Sequence, residues 1–241
     1  MARDPHPFYV PRSGITADGI VTFPEEEARH ILHVIRMRSG DECRVVDGVG
    51  GIYSVRLVQN GEHLRGTVLE EKRCPPSPTF LELGFPMLRV RSRTEWLLEK
   101  AVEVGVDSLV PLLWTRGIQH RFEGVRGRWE RILREAMKQS QRAWLPTLFE
   151  PQGACDAPPD RTVILADPEG PETLPGLDEG VSVRLLIGPE GGPSREERER
   201  LVAGGAAIWS LGPTRLRSET AAVVASHRLA GALRAIEVRG V

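Results

Sequence analysis

Cysteine is scarce in the 241-residue chain, and Cys43, Cys74 and Cys155 lie far apart with no Cys-x-x-Cys pair. That pattern supports neither a disulfide framework nor a zinc knuckle, so a reducing cytoplasm and a metal-free site are expected. No stretch approaches the roughly 18 uninterrupted apolar residues of a spanning helix, and Met1 to Pro11 lacks an apolar leader segment, so a soluble, uncleaved protein is expected. An excess of one charge is also lacking: 32 Lys plus Arg face 33 Asp plus Glu, a net charge of -1, which argues against indiscriminate coating of nucleic acid. Lysine is nearly absent, and 29 of those 32 cations are arginine, whose planar fork suits carboxylates and phosphates. The balance is local as well as global. Residues 74–149 hold twelve cations against eight acids, a net of +4, whereas residues 150–180 hold one against eight, a net of -7.

What the chain does have is two kinds of text. From about Gly19 to Glu71, strand-like runs at Arg44 to Val46, Gly51 to Leu57 and Leu64 to Leu69 are separated by Ser39-Gly40-Asp41, Asp47-Gly48-Val49-Gly50 and Asn60-Gly61 turns. One helix, Glu25 to Met37, carries Ala28, Ile31, Leu32 and Ile35 at helical spacing. A small β-barrel is expected for residues 1–73. Cys74-Pro75-Pro76-Ser77-Pro78 then interrupts any regular element, because proline fixes φ and removes a donor.

Residues 79–241 alternate strands with longer helices. Strands are expected at Phe80 to Pro86, Ser108 to Leu113, Val163 to Ala166, Val183 to Ile187 and Ala206 to Leu211. Helices are expected at Ser92 to Val104, Gly127 to Ala143, Ser194 to Ala203 and Glu219 to Glu237. Apolar strands alternating with helices indicate an α/β domain with a parallel sheet covered on both faces.

Two loops carry the strongest signals. Leu185 to Ile187 is a buried strand that runs into Gly188-Pro189-Glu190-Gly191-Gly192-Pro193, and Ser194 with Glu197 forms a capping box for the next helix. Glycines at the carboxyl end of a parallel strand let the backbone approach a ligand. Neither nucleotide motif fits: Pro193-Ser194 stands where a phosphate loop needs Lys-Ser or Lys-Thr, and the spacing is not G-x-G-x-x-G. The second loop, Leu211-Gly212-Pro213-Thr214-Arg215-Leu216-Arg217-Ser218-Glu219-Thr220, again leads from a strand into an apolar helix, with two arginines that helix capping does not explain.

Together these loops resemble the signature pair of the RsmE family, the 16S ribosomal RNA uridine-N3 methyltransferases of the SPOUT superfamily. The likeness extends through Glu95-Trp96, Lys100-Ala101, Glu103 to Val106, Arg128-Trp129, Gln139-Ser140, Arg142 and Pro146, and Ile35 to Arg38 with Asp47-Gly48 is similar to the family's PUA-like RNA-binding domain. The chain departs from the pattern at Pro193, usually aromatic, at Ser218, usually Thr, and near Val90, where a Lys is usual and Arg89, Arg91 or Arg93 could substitute.

The resemblance implies a C-terminal SPOUT domain with a trefoil knot, S-adenosylmethionine as cofactor, a homodimer in the cytoplasm, and 16S rRNA or the small ribosomal subunit as partner. It places cofactor binding at Leu165, Leu186, Ile187, Gly188, Pro189, Glu190, Gly191, Gly192, Leu211, Gly212, Leu216, Arg217, Ser218 and Thr220. Glu219 is then a candidate base for the imino proton, with Arg217 or Arg142 offsetting charge on the uracil. His33, with Arg36 and Arg38 on one helical face, and Arg91, Arg93, Arg116 and Arg121 are candidate RNA contacts, and Trp114, Trp129 and Trp144 interleave the basic stretch as residues of the type that stack on bases. Trp129, however, with Ile132, Leu133 and Ala136 forms the face its helix must bury and is expected in the core. A ribose 2′-O methyltransferase of the superfamily would carry an Asn-x-Gly and Arg motif early in this domain, and residues 80–120 contain none. A noncatalytic RNA-binding protein would tolerate loss of the two loops, which are intact.

Overall fold

The structure is a computed structural model and describes residues 6–60, 63–118, 122–156, 158–178 and 180–239. Its contacts divide into two compact units, one of Met1–Pro76 with Arg134–Leu145 and one of Ser77–Leu133 with Pro146–Val241.

The first unit is built on β1 (Phe8–Tyr9), β2 (Ile20–Thr22), α1 (Glu25–Arg29), β3 (Glu42–Val46), β4 (Gly51–Asn60) and β5 (His63–Arg73), in sheet order β1-β3-β4-β5-β2. The ladder runs from β1 to β2 with no closing pair among the described residues, so the expected barrel is a half-barrel. Alternation along β3 sends Cys43 and Val45 inward and leaves Glu42 and Arg44 outside. The inward face meets Phe8, Val21, Phe23, Ile31, Val55 and Leu64 in one core.

The β3–β4 turn forms because buried Asp47 replaces missing backbone partners. Its Oδ1 accepts from Val49 N at 2.9 Å and Gly51 N at 2.7 Å, and its Oδ2 accepts from the Tyr53 hydroxyl at 2.9 Å. Burial and this bond to a carboxylate push the Tyr53 hydroxyl pKa up to about 12.

The helix expected over Glu25 to Met37 is shorter and irregular. After α1 it widens into a π-helical turn, His30–Ile35, and ends at Arg36, which takes φ +61. Met37 N closes back on Ile31 O at 3.0 Å and both side chains are buried. Arg36 and Arg38 therefore lie beyond the helix, and the single helical face shared with His33 does not exist. All three side chains are exposed.

The second unit contains β6 (Phe80–Pro86), α2 (Arg91–Glu103), β7 (Ser108–Leu113), β8 (Thr147–Leu148), β9 (Gln152–Gly153), β10 (Thr162–Ala166), β11 (Ser182–Ile187), α4 (Arg195–Ala203), β12 (Ala207–Trp209) and α5 (Ser218–Arg239). Its sheet has the order β12-β10-β11-β6-β7-β8, with β9 also on β7, and its pairs are parallel. In central β6 the six residues after Phe80 are buried, as a strand covered on both faces requires. One face carries α5, packed on α2, β6 and β11. Leu201 of α4 joins Val110, Leu112, Trp114, Leu165 and Leu186 in the core of the sheet.

The helix expected at Gly127 to Ala143 is α3 (Glu123–Gln139). It stops early because Ser140 Oγ bonds back to Ala136 O at 2.7 Å, Gln141 takes φ +58, and Arg142 N reaches Met137 O at 3.0 Å, a left-handed C-terminal closure.

Candidate active site

In the second unit β10, β11 and β12 end side by side, with Ala166 paired to both Ile187 and Trp209. Open α/β sheets bind ligands outside such carboxyl ends. Here the ends surround a cavity of about 830 Å³, within the roughly 300–1,000 Å³ of small-molecule sites. Its walls are the Gly188–Pro193 loop, the segment from Ser210 to Ser218, residues Ala166 to Glu169, and Val90 with Arg93 at the start of α2.

The first loop is fixed from outside the cavity. Ser194 caps α4: its Oγ accepts from Glu197 N at 3.2 Å while Glu197 Oε2 accepts from Ser194 N at 2.7 Å, the box expected from sequence. Glu197 Oε1 also accepts from Thr115 N at 2.7 Å and Thr115 Oγ1 at 3.1 Å, which ties the helix start to the end of β7. Burial works to raise the Glu197 pKa, and these bonds outweigh it and hold the carboxyl below the usual range.

Four of the loop carbonyls are taken by protein donors. Ser218 Oγ donates to Gly188 O at 3.0 Å, Gly192 N to Pro189 O at 2.9 Å, Arg215 Nη2 to Glu190 O at 3.2 Å and Arg116 Nη1 to Gly191 O at 3.5 Å. Gly192 takes φ +70, a conformation that costs a side-chain-bearing residue about 1–2 kcal/mol. Gly191 has no such requirement, and a Cβ there would approach only Arg116 carbons, at 4.0 Å.

Most residues expected at the cofactor site converge. Ile187, Gly188, Pro189, Glu190, Gly191 and Gly192 line the cavity on one side, and Leu211, Gly212, Leu216, Arg217 and Ser218 line it on the other. Leu165 and Leu186 do not. They are neighbours in the β10–β11 ladder and point into the sheet core, one residue before the strand ends that reach the cavity. Thr220 and Glu219 also lie outside the lining.

Glu219 is nearly buried and engaged: Arg93 Nε donates to its Oε1 and Arg93 Nη2 to its Oε2, both at 2.7 Å. Burial alone would raise the Glu219 pKa, but Arg93 by hydrogen bond and charge, with Arg217 by charge, brings it below the ordinary glutamate range. Arg93, read from sequence as an RNA contact, also donates from Nη1 to Glu190 Oε1 at 2.6 Å.

Other expected RNA contacts scatter. Arg91 is exposed at the first residue of α2, and Arg116 is exposed against Gly191. Arg121 lies outside the described residues. Arg142 and the His33, Arg36 and Arg38 group belong to the first unit, not to the unit that builds the cavity. The interleaved tryptophans offer no stacking platform: Trp114 is buried, Trp129 is buried against Phe85 and Phe122 with ring centroids 5.8 Å away, and half-buried Trp144 donates to Cys74 O at 3.2 Å. Neighbouring Arg126 and Arg128 are paired with Glu130 and Glu95.

Sequence reasoning missed the wall formed by Asp167, Pro168 and Glu169 with Arg198. Asp167 Oδ2 accepts from Arg198 Nε at 3.0 Å and its Oδ1 from Glu169 N at 2.9 Å. An Asp-Pro directly after a buried strand was the available signal.

The sequence matches the profile of the RNA methyltransferase domain over residues 75–230 and that of the RNA methyltransferase PUA domain over residues 23–69. Ribosomal RNA small subunit methyltransferase E of Mycobacterium bovis is 30% identical over 221 residues, covering 83% of this chain and 82% of the relative. The Bacillus subtilis protein of the same name is 28% identical over 224 residues, covering 83% and 85%. Among solved structures, the Ribosomal RNA small subunit methyltransferase E from Neisseria gonorrhoeae bound to S-adenosyl methionine superposes with a TM-score of 0.83 at 25% identity, covering 94% of this chain and 97% of that one. By profile, identity and coverage, the chain belongs to the ribosomal RNA small subunit methyltransferase E family.

Proposed function

We propose that the protein transfers a methyl group from S-adenosylmethionine to N3 of a uridine in 16S ribosomal RNA of the small subunit. The observation that carries this reading is the single cavity of about 830 Å³ enclosed by the two glycine-proline loops, in a chain of this family. The cavity suits the donor on its own chemistry. Ile187, Leu211 and Leu216 offer apolar walls for a purine, and loop backbone lies at the rim.

When bound, S-adenosylmethionine supplies an electrophilic methyl. The protein's part is then to bind, orient and manage a proton. Residues 187–192 and 211–218 hold the donor so that its methyl faces the cavity mouth, where positioning supplies much of the rate. The uridine has to leave its stack to reach that mouth. Arg217, exposed on the cavity wall, is placed to offset the negative charge that grows on the uracil as the N3 proton leaves, and Arg142 remains a second candidate for that task from the sequence. Glu219 is not proposed as the acceptor of that proton, because a base needs a free oxygen within reach and both of its oxygens are held by Arg93.

The rest of the reading follows the family. Residues 1–73 form an RNA-binding domain that uses His33, Arg36 and Arg38, and residues 79–241 a methyltransferase domain whose loops are knotted, paired with a second copy in the cytoplasm. Arg91 and Arg116 extend the RNA contact. The test is transfer of a labelled methyl group to 16S rRNA or small subunits lacking the modification, followed by nucleoside mapping. N3-methyluridine is expected. Label on a ribose, or no transfer, would overturn the reading.

A further inference from the structure

Three stretches of chain far apart in sequence meet at one guanidinium. Arg93 stands in the first turn of α2, Glu190 in the first loop and Glu219 in the first turn of α5. The arginine uses three of its donors at once, Nε and Nη2 in a two-pronged bond to Glu219 and Nη1 to Glu190, at 2.7, 2.7 and 2.6 Å. A planar fork can do this and a lysine ammonium, a single donor atom, cannot span the same pair of carboxylates with that geometry. The two arms differ in setting: the Glu219 side chain is 9% exposed and the Glu190 side chain 51%. The inner arm is thus the anchor, and the outer arm reaches the loop.

We propose that Arg93 is a positioning residue that holds the Gly188–Gly192 loop against the starts of α2 and α5, with Glu219 as its counter-ion, and thereby sets the donor pocket in its binding shape. This rests on the cavity being the donor site. Three observations support it. Val90, three residues earlier, lines the same cavity, so the clamp spans the opening between the α2 start and the loop. Ser218, next to Glu219, bonds Gly188 O, so both ends of the clamp reach the same loop. Glu219 stays ionised at neutral pH, since the pull of Arg93 and Arg217 exceeds the opposing effect of burial. Loss of Arg93 would leave a nearly buried carboxylate without its partner and free the loop to relax.

The test has two independent arms. In the first, amide hydrogen exchange is followed in the ligand-free protein at Gly192, whose N–H is held by Pro189 O inside the loop. Arg93→Gln is expected to speed exchange at this amide about tenfold or more while leaving the β6 amides unchanged, and unaltered Gly192 exchange would overturn the proposal. In the second, S-adenosylmethionine is titrated calorimetrically into wild type, Arg93→Lys, Arg93→Gln, Glu219→Gln and the double variant. Charge-assisted bonds of this kind correspond to losses of about tenfold or more for each Gln variant, with Lys between.

The double variant is expected to be no weaker than the worse single one, because each removes the same clamp. Most of the loss should fall in KM for the donor, and the acidic limb of the pH–rate profile should survive in Glu219→Gln. Abolished kcat with unchanged donor affinity and a lost acidic limb in Glu219→Gln would make Glu219 the base and overturn the proposal. Should Arg93→Gln fail to fold, Glu190→Gln removes only the exposed arm and is expected to weaken binding about threefold, with unchanged affinity counting against the clamp. If wild type binds no donor at all, the cavity assignment fails, whereas the exchange arm still decides whether the clamp exists.

Discussion

Ser218→Ala is a minimal change that removes one of the bonds between the two loops. The Ser218 hydroxyl is the donor that joins the α5 start to Gly188 O, at 3.0 Å across 30 residues of sequence. Ser218 itself is buried, but Gly188 is half-exposed, so water can partly replace the lost partner. The cost should therefore sit near the net value of one hydrogen bond, about 0.5–1.5 kcal/mol, rather than the larger penalty of an orphaned buried carbonyl. At about 1 kcal/mol, Tm falls by about 2–4 °C for a chain of this size. If the bond is made in the binding shape of the pocket, donor affinity falls about fivefold. Differential scanning calorimetry reads the first and titration calorimetry with S-adenosylmethionine the second. Ser218→Thr retains the hydroxyl and should match wild type in both. An alanine variant that binds as tightly as wild type, or a threonine variant that loses as much as alanine, would refute the reasoning.

Other expectations follow from single features of the structure. Gly192→Ala should lower thermal stability by about 1–2 kcal/mol from its φ of +70 alone, whereas Gly191→Ala, with room for a Cβ, should melt like wild type. Glu82 is 1% exposed between Arg184 and Arg161, so Glu82→Gln removes the carboxylate that both cations share and should cost about 3–5 kcal/mol in urea unfolding. Cys43 is raised to about 12 by burial and the charge of Glu27, and Tyr53 to about 12 by burial and Asp47. Native protein therefore holds these protons more tightly than unfolded chain. Their stabilisation is present below the unfolded pKa values, about 8.5 and 10, and is lost as pH rises toward 12, so urea midpoints should fall over that alkaline window and fall less steeply in Cys43→Ala.

Much of the second unit could be read from the sequence because its signals are local. Apolar strands such as Leu185 to Ile187, the Ser194–Glu197 box and the glycines of both loops each specify one structure with little help from elsewhere. The first unit was readable as strands and turns, since Asp47 and Gly51 carry their own turn chemistry. The helix from Glu25 to Met37 was misread because its end is decided by burial of Met37 against the sheet, which no periodicity records. Likewise Ser140 and Gln141 end α3 four residues early through a backbone closure that has no glycine to announce it.

In the active site the chemistry of each residue was readable and its partner was not. Arg93 and Glu219 were separate cation and base candidates, yet 126 residues of separation close into one ion pair. In the basic stretch Trp129 is core, as its helical face predicts, but Trp114 is core as well, and Arg126 and Arg128 are neutralised by glutamates that sequence alone does not place beside them. Leu165 fell on the wrong side of its strand end by a single residue, the interval at which side chains change face.

A crystal structure of the protein with S-adenosylmethionine tests the donor site most directly. The donor is predicted to lie between residues 187–192 and 211–218, with its methyl toward the mouth and Arg93 still bridging Glu190 and Glu219. Density for the donor at any other surface, or a complex in which the two loops do not touch it, would contradict that site.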